Sequence, residues 1–300
     1  MKKILIIFIV FIGLTIHAQQ DAQYTQYMYN MSAINPAYAG SGGSTSFGIL
    51  QRSQWHGLDG APKTTTVFGH TPVSEKVGLG ASIISDKIGV YSKTNITTDY
   101  SYLLKLSGKH HLSFGLKAGG SIHNIGLANI DLKEENDPLF SQNINTVRAI
   151  IGAGVLFYTD KFYIAASIPN VLESLHTDAN NNDLGLGYRH YFFTGGYLFN
   201  LSENLKFKPS FLVKSAFEAT PSYDINANIE LNKKVEFGLS YRLEDSFSGL
   251  INLSVTPNIK VGYAYDAVIS NLRNYAASSH EFLVLIDINT KVATRPTRFF

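Results

Sequence analysis

The sequence contains 300 residues, no cysteine, and 25 basic against 23 acidic side chains, a formal net charge of +2. The absence of cysteine excludes a disulfide framework, a thiolate metal site and a lipidated cysteine. The near balance of charge gives no indication of a nucleic-acid partner. Charged residues make up only 16% of the chain and aromatic residues 12%. This composition suits a surface partly in contact with lipid, although a soluble secreted sandwich can also be rich in aromatic residues.

The first 18 residues have the layout of a secretory signal peptide. Lys2 and Lys3 precede an apolar run over residues 4–16, and the small residue Ala18 follows it. Cleavage is expected after the small residue. The apolar run is shorter than the roughly 18 residues that a transmembrane helix needs. We therefore expect residues 1–18 to be a signal peptide; the alternative is a retained membrane anchor.

A polar, tyrosine-rich segment over residues 19–43 comes next, and about fourteen strand candidates follow it. In the clearest candidate, residues 222–231, polar and apolar side chains alternate without exception. Successive side chains of a strand point to opposite faces, so this segment separates an apolar face from a charged one. Residues 96–107 and 112–123 show the same pattern. The other candidates run over approximately 44–52, 63–71, 76–85, 147–158, 161–169, 187–199, 204–217, 234–244, 247–256, 258–266 and 279–290.

The connections between the candidate strands alternate in length. Every second connection is short, whereas the intervening set includes the long ones, at 53–62, 86–93, 125–146, 170–186 and 267–278. Short periplasmic turns and longer external loops are typical of an outer-membrane barrel. The sequence therefore predicts an all-β chain with a single transmembrane outer-membrane β-barrel of about fourteen antiparallel strands over residues 44–290. Both ends of the barrel chain would lie in the periplasm, where residues 291–300 form a basic tail that either contacts a partner or is frayed.

In such a barrel the polar face of each strand lines the lumen. The predicted lumen-lining charges carry both signs: Asp99, Lys105, Lys117, Lys214, Asp224, Glu230, Arg242 and Asp266. These side chains either line a path for ions or solutes, or form ion pairs with one another in a mixed interior. We favour the second interpretation because no stripe of a single sign is present. A barrel of this size leaves interior volume that its own side chains do not fill. Water, an inserted loop or residues 19–43 must occupy it.

Catalytic and cofactor motifs are missing from the sequence. The chain has no Gly-x-Ser-x-Gly elbow, no His-Glu-x-x-His and no P-loop. His110 and His111 are adjacent, so their side chains diverge, which indicates a surface turn rather than a metal pair. We therefore expect no enzyme activity, no cofactor and no metal. A lipase-type site dispersed along a barrel rim is the remaining enzymatic alternative.

Two stretches of the sequence resemble a known family. The motifs QYMYNMSAINPAYAG (residues 26–40) and RSQWHGLDGAPKT (residues 52–64) are similar to two hallmarks of the PorP/SprF family of Bacteroidetes outer-membrane proteins. Shorter stretches fit as far as residues 279–285, so the resemblance covers essentially the whole mature chain. That family is associated with type IX secretion and gliding motility. The resemblance implies a non-enzymatic barrel that supports secretion or surface anchoring of adhesins and links to periplasmic machinery.

The first motif suggests a role for the segment before the barrel. Its Asn-Pro-Ala triplet is similar to a motif in the N-terminal hatch of FadL-like transporters, which are also fourteen-stranded barrels. We therefore hypothesise that residues 19–43 plug the lumen or its periplasmic mouth; the alternative is an ordered periplasmic extension. The residues predicted to carry this interaction are Asn35, Pro36, Ala37 and Tyr38.

The second motif is predicted to form the first extracellular loop and its strand flanks. Glycine and proline define its turn path, and the single tryptophan is amphipathic enough to anchor it at the interface or in the mouth. A structural role is favoured over direct client binding. The residues concerned are Arg52, Gln54, Trp55, Gly57, Gly60 and Pro62.

These observations predict an outer-membrane component of type IX secretion. Its expected partners are outer-membrane lipid, periplasmic secretion components and a secreted adhesin or other client protein. The alternative is a passive transporter or channel of the FadL or porin kind.

Overall fold

The computed structural model describes residues 23–129, 142–172, 174–177, 183–187, 189–216, 219–276 and 278–289. The predicted signal peptide over residues 1–18 and the predicted tail over residues 291–300 lie outside these ranges.

Fourteen antiparallel strands form one closed barrel. Each strand pairs with the next along the chain, and the last strand pairs with the first, so the sheet closes on itself. The predicted all-β outer-membrane barrel of about fourteen strands is confirmed. The strands are β1 (Ser44–Ser53), β2 (Lys63–Pro72), β3 (Val77–Ile88), β4 (Tyr91–Lys105), β5 (His111–Ile125), β6 (Ile144–Tyr158), β7 (Phe162–Ile168), β8 (His190–Tyr197), β9 (Leu205–Ala216), β10 (Ala219–Leu231), β11 (Val235–Arg242), β12 (Ser246–Thr256), β13 (Ile259–Val268) and β14 (Ser278–Asn289).

A few short elements lie outside these fourteen strands. Phe199–Asn200 pairs with the start of β9, and Ser174–Thr177 pairs with Asp183–Gly187 in a small hairpin between β7 and β8. The helical turns are equally short: Tyr27–Tyr29, Met31–Ile34, Pro36–Tyr38, Leu127–Asn129 and Asn271–Asn274. Within the part of the chain that the structure describes, no helix is long and apolar enough to cross a membrane.

The alternation of β10 gives the barrel two opposite surfaces. Asn228 is fully buried inside, whereas Ile225, three residues before it, is 64% exposed on the outside. This is the reverse of a soluble protein, and it is the arrangement that a lipid solvent requires. A closed barrel also satisfies the backbone hydrogen bonds of its strands without water. The same exposed apolar surface continues around the wall through Ile49, Val67, Leu79, Ile96, Leu116, Ile151, Ile164, Phe193, Leu239, Phe247, Tyr265 and Val284.

The two ends of the barrel differ in loop length. At one end, here called the short-turn end, the connections are residues 73–76, 106–110, 159–161, 198–204, 232–234 and 257–258. At the opposite, long-loop end the connections are residues 54–62, 89–90, 126–143, 169–189, 217–218, 243–245 and 269–277. The loop predicted at 86–93 is corrected to a two-residue turn, because β3 and β4 continue their pairing as far as Ile88 and Tyr91.

Candidate functional site

Residues 23–43, here called the inner segment, are packed against the inward-facing side chains of the strands. Their course crosses the barrel. Thr25 contacts Glu281 near the long-loop end of β14, whereas Gly40 contacts His70 near the short-turn end of β2. Tyr27 and Tyr29 are each only 1% exposed. The segment therefore runs from the long-loop end to the short-turn end before it enters β1.

The Asn-Pro-Ala motif folds as a capped turn. The Asn35 side chain accepts a hydrogen bond of 2.9 Å from the Ala37 backbone N–H, and Pro36 occupies the first position of the helical turn. Asparagine is a preferred N-cap, and proline suits the first turn because its missing N–H would be unpaired there. The opposite side of the Asn35 amide donates to the carbonyl oxygens of Val155 and Ala166, at 3.1 and 3.3 Å. One side chain thus both shapes the turn and attaches it to β6 and β7.

Serine hydroxyls of the barrel wall bind the backbone that follows this turn. Ser113 donates to the Ala37 carbonyl at 2.9 Å, and Ser101 donates to the Ala39 carbonyl at 2.6 Å. The ring of Tyr38 meets the ring of Tyr163 edge-on, with centroids 6.0 Å apart. The four residues singled out from the first motif therefore lie together against the wall.

Glycines in the wall make room for the same turn. A Cβ atom at Gly115 would overlap the backbone of Pro36 and Ala37, and one at Gly154 would overlap the Asn35 amide. These glycines lie inside strands, where glycine is disfavoured unless another backbone approaches closely. The close approach of the inner segment supplies that reason.

We expect Gly115→Ala to displace the inner segment, because the added methyl group meets main chain rather than a flexible side chain. The expected loss is about 1–3 kcal/mol of unfolding free energy, the usual cost of overpacking. Denaturant unfolding in lipid vesicles measures it. Gly249→Ala is the matched control, since a Cβ there would meet nothing within 4 Å. Equal stability of the two variants would contradict a tight fit at Gly115.

Charged side chains of the lumen form ion pairs of both signs. Lys117 lies 2.7 Å from Asp99, Arg242 lies 2.7 Å from Asp224, and the side chains of all four are at most 7% exposed. Lys208 binds two carboxylates, at 2.6 Å from Glu230 and 3.0 Å from Glu236. The remaining predicted lining residues Lys214 and Asp266 are buried as well. This mixed pairing matches a self-neutralising interior better than a selective ion path.

One of these pairs also touches the inner segment. Asp99 and Lys117 face each other across β4 and β5, and the Lys117 ammonium donates to the Ser32 carbonyl at 3.2 Å. Lys117→Met alone leaves a buried carboxylate unpaired, and such a change costs about 3–5 kcal/mol. The double variant Lys117→Met/Asp99→Leu removes both charges and should recover most of that loss. A double-mutant cycle of unfolding free energies checks this; equal losses in the single and double variants would argue against the pair.

Two predicted residues lie in other places than the sequence suggested. Lys105 lies on the inward-facing side of β4, but at its last position, at the short-turn end of the barrel. Its side chain is 40% exposed there and pairs with Glu75 at 2.9 Å. This hydrogen bond lowers the pKa of the Glu75 carboxyl below its usual value. Arg52 is not a loop residue. It lies in β1 with its side chain pointing inward and 2% exposed, because the strand continues to Ser53.

The rest of the second motif forms the connection between β1 and β2 at the long-loop end. Gln54 donates its N–H to the Pro62 carbonyl at 2.9 Å and so closes the loop. Gly57 and Gly60 have positive φ angles of 95° and 74°, which glycine adopts without strain. Trp55 also has a positive φ, 50°, and donates its N–H to the Ser279 hydroxyl at 3.1 Å. The loop is therefore attached to the start of β14.

Sequence reasoning missed the residues that hold the amino-terminal part of the inner segment. Glu281 is fully buried, and its carboxylate accepts the backbone N–H groups of Thr25 and Gln26 at 3.0 and 2.8 Å. Tyr29 donates to Glu236 at 2.5 Å. A signal existed for Glu281, because this charge stands at an inward position of β14, immediately before the apolar run over residues 282–286. Its partner could not be read from sequence, since 256 positions separate it from Thr25.

A small cavity lies beside the inner segment near the long-loop end. It is lined by Tyr24, Tyr27, Phe192, Leu212 and Arg242 among others, and its volume of about 20 Å³ suits a water molecule. Among the described residues, no group of three or more His, Cys, Asp or Glu side chains could hold a metal ion.

Residues 16–286 match the family model described as "Type IX secretion system membrane protein PorP/SprF". The chain belongs to the PorP/SprF family. Its place in the outer membrane follows from that family together with the barrel, and the predicted family is confirmed. No curated protein matches the sequence.

Solved structures show the same fold at low sequence identity. The Ralstonia pickettii toluene transporter TbuX aligns with a TM-score of 0.52 at 11% identity, covering 85% of this chain and 92% of TbuX. The CymD monoaromatic hydrocarbon channel aligns with a TM-score of 0.51 at 10% identity, covering 86% of this chain and 91% of CymD. At such identities the likeness concerns the barrel fold alone.

Proposed function

We propose that this PorP/SprF barrel is a non-enzymatic component of the type IX secretion system that supports secretion or surface anchoring of client proteins. In this proposal the inner segment is a plug, and the barrel is an attachment platform in the outer membrane rather than an open pore. The observation that carries the proposal is the occupied lumen. The segment is bonded to strands around the wall, through Tyr29 to Glu236 and through Asn35 to Val155 and Ala166.

The two barrel ends receive different partners in this proposal. Short turns face the periplasm in outer-membrane barrels, so the short-turn end is the side for periplasmic secretion components. The long-loop end, with the loop of the second motif, is the side for a secreted adhesin or other client. This assignment gives the barrel the linking role that its family membership favours.

The direct test is removal of the gene in its own host, followed by quantification of surface and secreted proteins. We expect one client or a small group of clients to be lost from the surface while other outer-membrane proteins stay at wild-type level. Expression of the full chain should restore them. An unchanged surface proteome, together with impaired uptake of a small solute, would overturn the proposal.

The tail over residues 291–300 is proposed as part of the periplasmic contact. Truncation after Thr290 should leave barrel assembly normal and reduce client secretion, because it keeps all of the described strand β14, Ser278–Asn289. Heat-modifiable migration on gels reports assembly, and the surface proteome reports secretion. Loss of assembly instead would make the terminal Phe300 a folding signal and would contradict the contact.

The alternative function is passive transport. TbuX and CymD are named for toluene and monoaromatic hydrocarbons, and their barrels resemble this one. The paired charges around the inner segment oppose an apolar route in this chain. Density for an apolar ligand in the lumen, or uptake of an aromatic hydrocarbon by the full-length barrel, would favour the alternative.

A further inference from the structure

The inner segment is attached in two different ways along its length. Its carboxy-terminal half, residues 31–43, fits against wall glycines and continues directly into β1. Its amino-terminal half, residues 23–30, is attached mainly through charged side chains of the wall. The most concentrated attachment involves Arg52, Asp266 and Glu281, here called the latch.

The latch joins the strands at which the barrel closes. The register places Arg52 of β1 opposite Glu281 of β14, at the pairing of the first and last strands. The Arg52 guanidinium lies 3.0 Å from Glu281 and 2.7 Å from Asp266, and all three side chains are at most 2% exposed. One cation therefore faces two buried carboxylates, which leaves an excess negative charge.

The inner segment supplies the donors that this excess charge requires. Glu281 accepts the N–H groups of Thr25 and Gln26, and the Thr25 hydroxyl donates to Asp266 at 2.7 Å. Arg52 donates in turn to the Thr25 hydroxyl at 3.1 Å. Hydrogen bonds to charged groups are among the stronger ones in proteins. The attachment at this end thus depends on a few specific atoms.

The rest of the amino-terminal half is less completely paired. The side-chain amide atoms of Gln26 and Asn30 are buried and have no hydrogen-bond partner among the described residues. Buried polar atoms without partners are costly, and contact with water relieves that cost. Displacement of this half would therefore recover part of the free energy that is lost when the latch opens.

We propose that the amino-terminal half of the inner segment is a gate held by the Arg52–Asp266–Glu281 latch, and that it is displaced while residues 31–43 stay in place. This inference deepens the proposed plug and rests on it. The wall beneath the gate carries Asn226, Asn228, Asn252, Lys208 and Glu236. A path opened there would take hydrated ions and polar solutes rather than hydrocarbons.

The experiment uses single cysteines in the full-length, naturally cysteine-free chain, reconstituted in lipid vesicles. Met28→Cys reports on the gate, because Met28 is 2% exposed. Tyr38→Cys, at a partly buried position, reports on the other half. Each of these two cysteine variants is combined with Glu281→Gln or with Thr25→Ala. Of these two changes, Thr25→Ala leaves the ion pairs of the barrel intact. The control is Asp287→Asn. Asp287 also lies on β14, but it accepts a hydrogen bond from Ser46 of the wall and not from the inner segment.

We expect Glu281→Gln and Thr25→Ala to speed maleimide labelling of Met28→Cys on the order of tenfold or more, because bonds to charged groups are lost. Labelling of Tyr38→Cys should not change, and Asp287→Asn should leave both rates unchanged. Equal rates at Met28→Cys in all backgrounds, or parallel increases at both cysteines, would overturn the gate. Thr25→Ala decides the matter if Glu281→Gln does not fold. If labelling changes as expected but a variant without the whole segment shows no conductance, the plug is refuted and the latch is kept.

Discussion

Deletion of residues 20–42 is expected to turn the closed barrel into a conducting pore. The full-length protein should stay near the baseline in planar bilayers, whereas the deletion variant should give resolved single-channel currents. The physical reason is the volume that the segment occupies. Barrels of about eight strands are filled by their own side chains, and those of about 16–18 leave an aqueous channel. A barrel of fourteen strands lies between, and in this one residues 23–43 lie against the inner wall.

The wall of the deletion variant would suit water. Its exposed inner surface would carry Lys208, Glu236, Asp224 and Arg242, which the structure already pairs with one another. Heat-modifiable migration must first show that the variant is folded. Gly249→Ala, which alters no contact of the inner segment, is the control for handling and reconstitution. Unchanged conductance in a folded deletion variant would refute the plug.

Arg242→Ala is expected to cause a large loss of stability, because it removes a buried charge of the lumen. The guanidinium binds both oxygens of Asp224, at 2.8 and 2.7 Å, and lies 3.5 Å from the Tyr24 carbonyl. Its removal leaves a buried carboxylate without its cation, which costs about 3–5 kcal/mol. Unfolding by guanidinium chloride in lipid vesicles, followed by the fluorescence of the single tryptophan, measures the loss.

An exposed ion pair gives the matched control for Arg242. Lys109 lies 2.6 Å from Asp160, but its side chain is 80% exposed. Pairs of this kind contribute little because water and salt screen them. Lys109→Ala should therefore leave the unfolding midpoint unchanged within error, although its ion pair is as short as that of Arg242. Similar shifts in the two variants would show that burial in the lumen does not strengthen these pairs.

The barrel was predictable from the sequence because its signal is local. In β10 the polarity of each residue indicates which face of the strand it occupies. The number of strand candidates gives the strand count, and the alternation of loop lengths indicates an outer-membrane barrel. The error at residues 86–93 has a local cause too. The alternation of polar and apolar residues breaks down there, because residues 85–87 and 92–94 are all polar. The extended hairpin between Ser85 and Thr94 therefore resembles a loop in the sequence.

The attachment of the inner segment was predictable only in outline. Its aromatic content and the unfilled lumen pointed to an internal position, and the Asn-Pro-Ala turn was recognised. Its partners depend on strand register and on contacts across more than 200 positions, as between Thr25 and Glu281. Arg52 ends the predicted strand 44–52 and also begins the second motif, so the sequence leaves it between strand and loop. The strand extends to Ser53, and Arg52 is an inward-facing strand residue.

Crosslinking in the native outer membrane, followed by purification of the full-length chain, tests the central proposal most directly. A photoreactive residue at Gly108, in a short turn, should capture periplasmic components of the type IX secretion system. A photoreactive residue at Asp59, in the loop of the second motif, should capture a secreted or surface-anchored client. Recovery of neither class from an assembled barrel, at either position, would contradict a role as a linking component of that system.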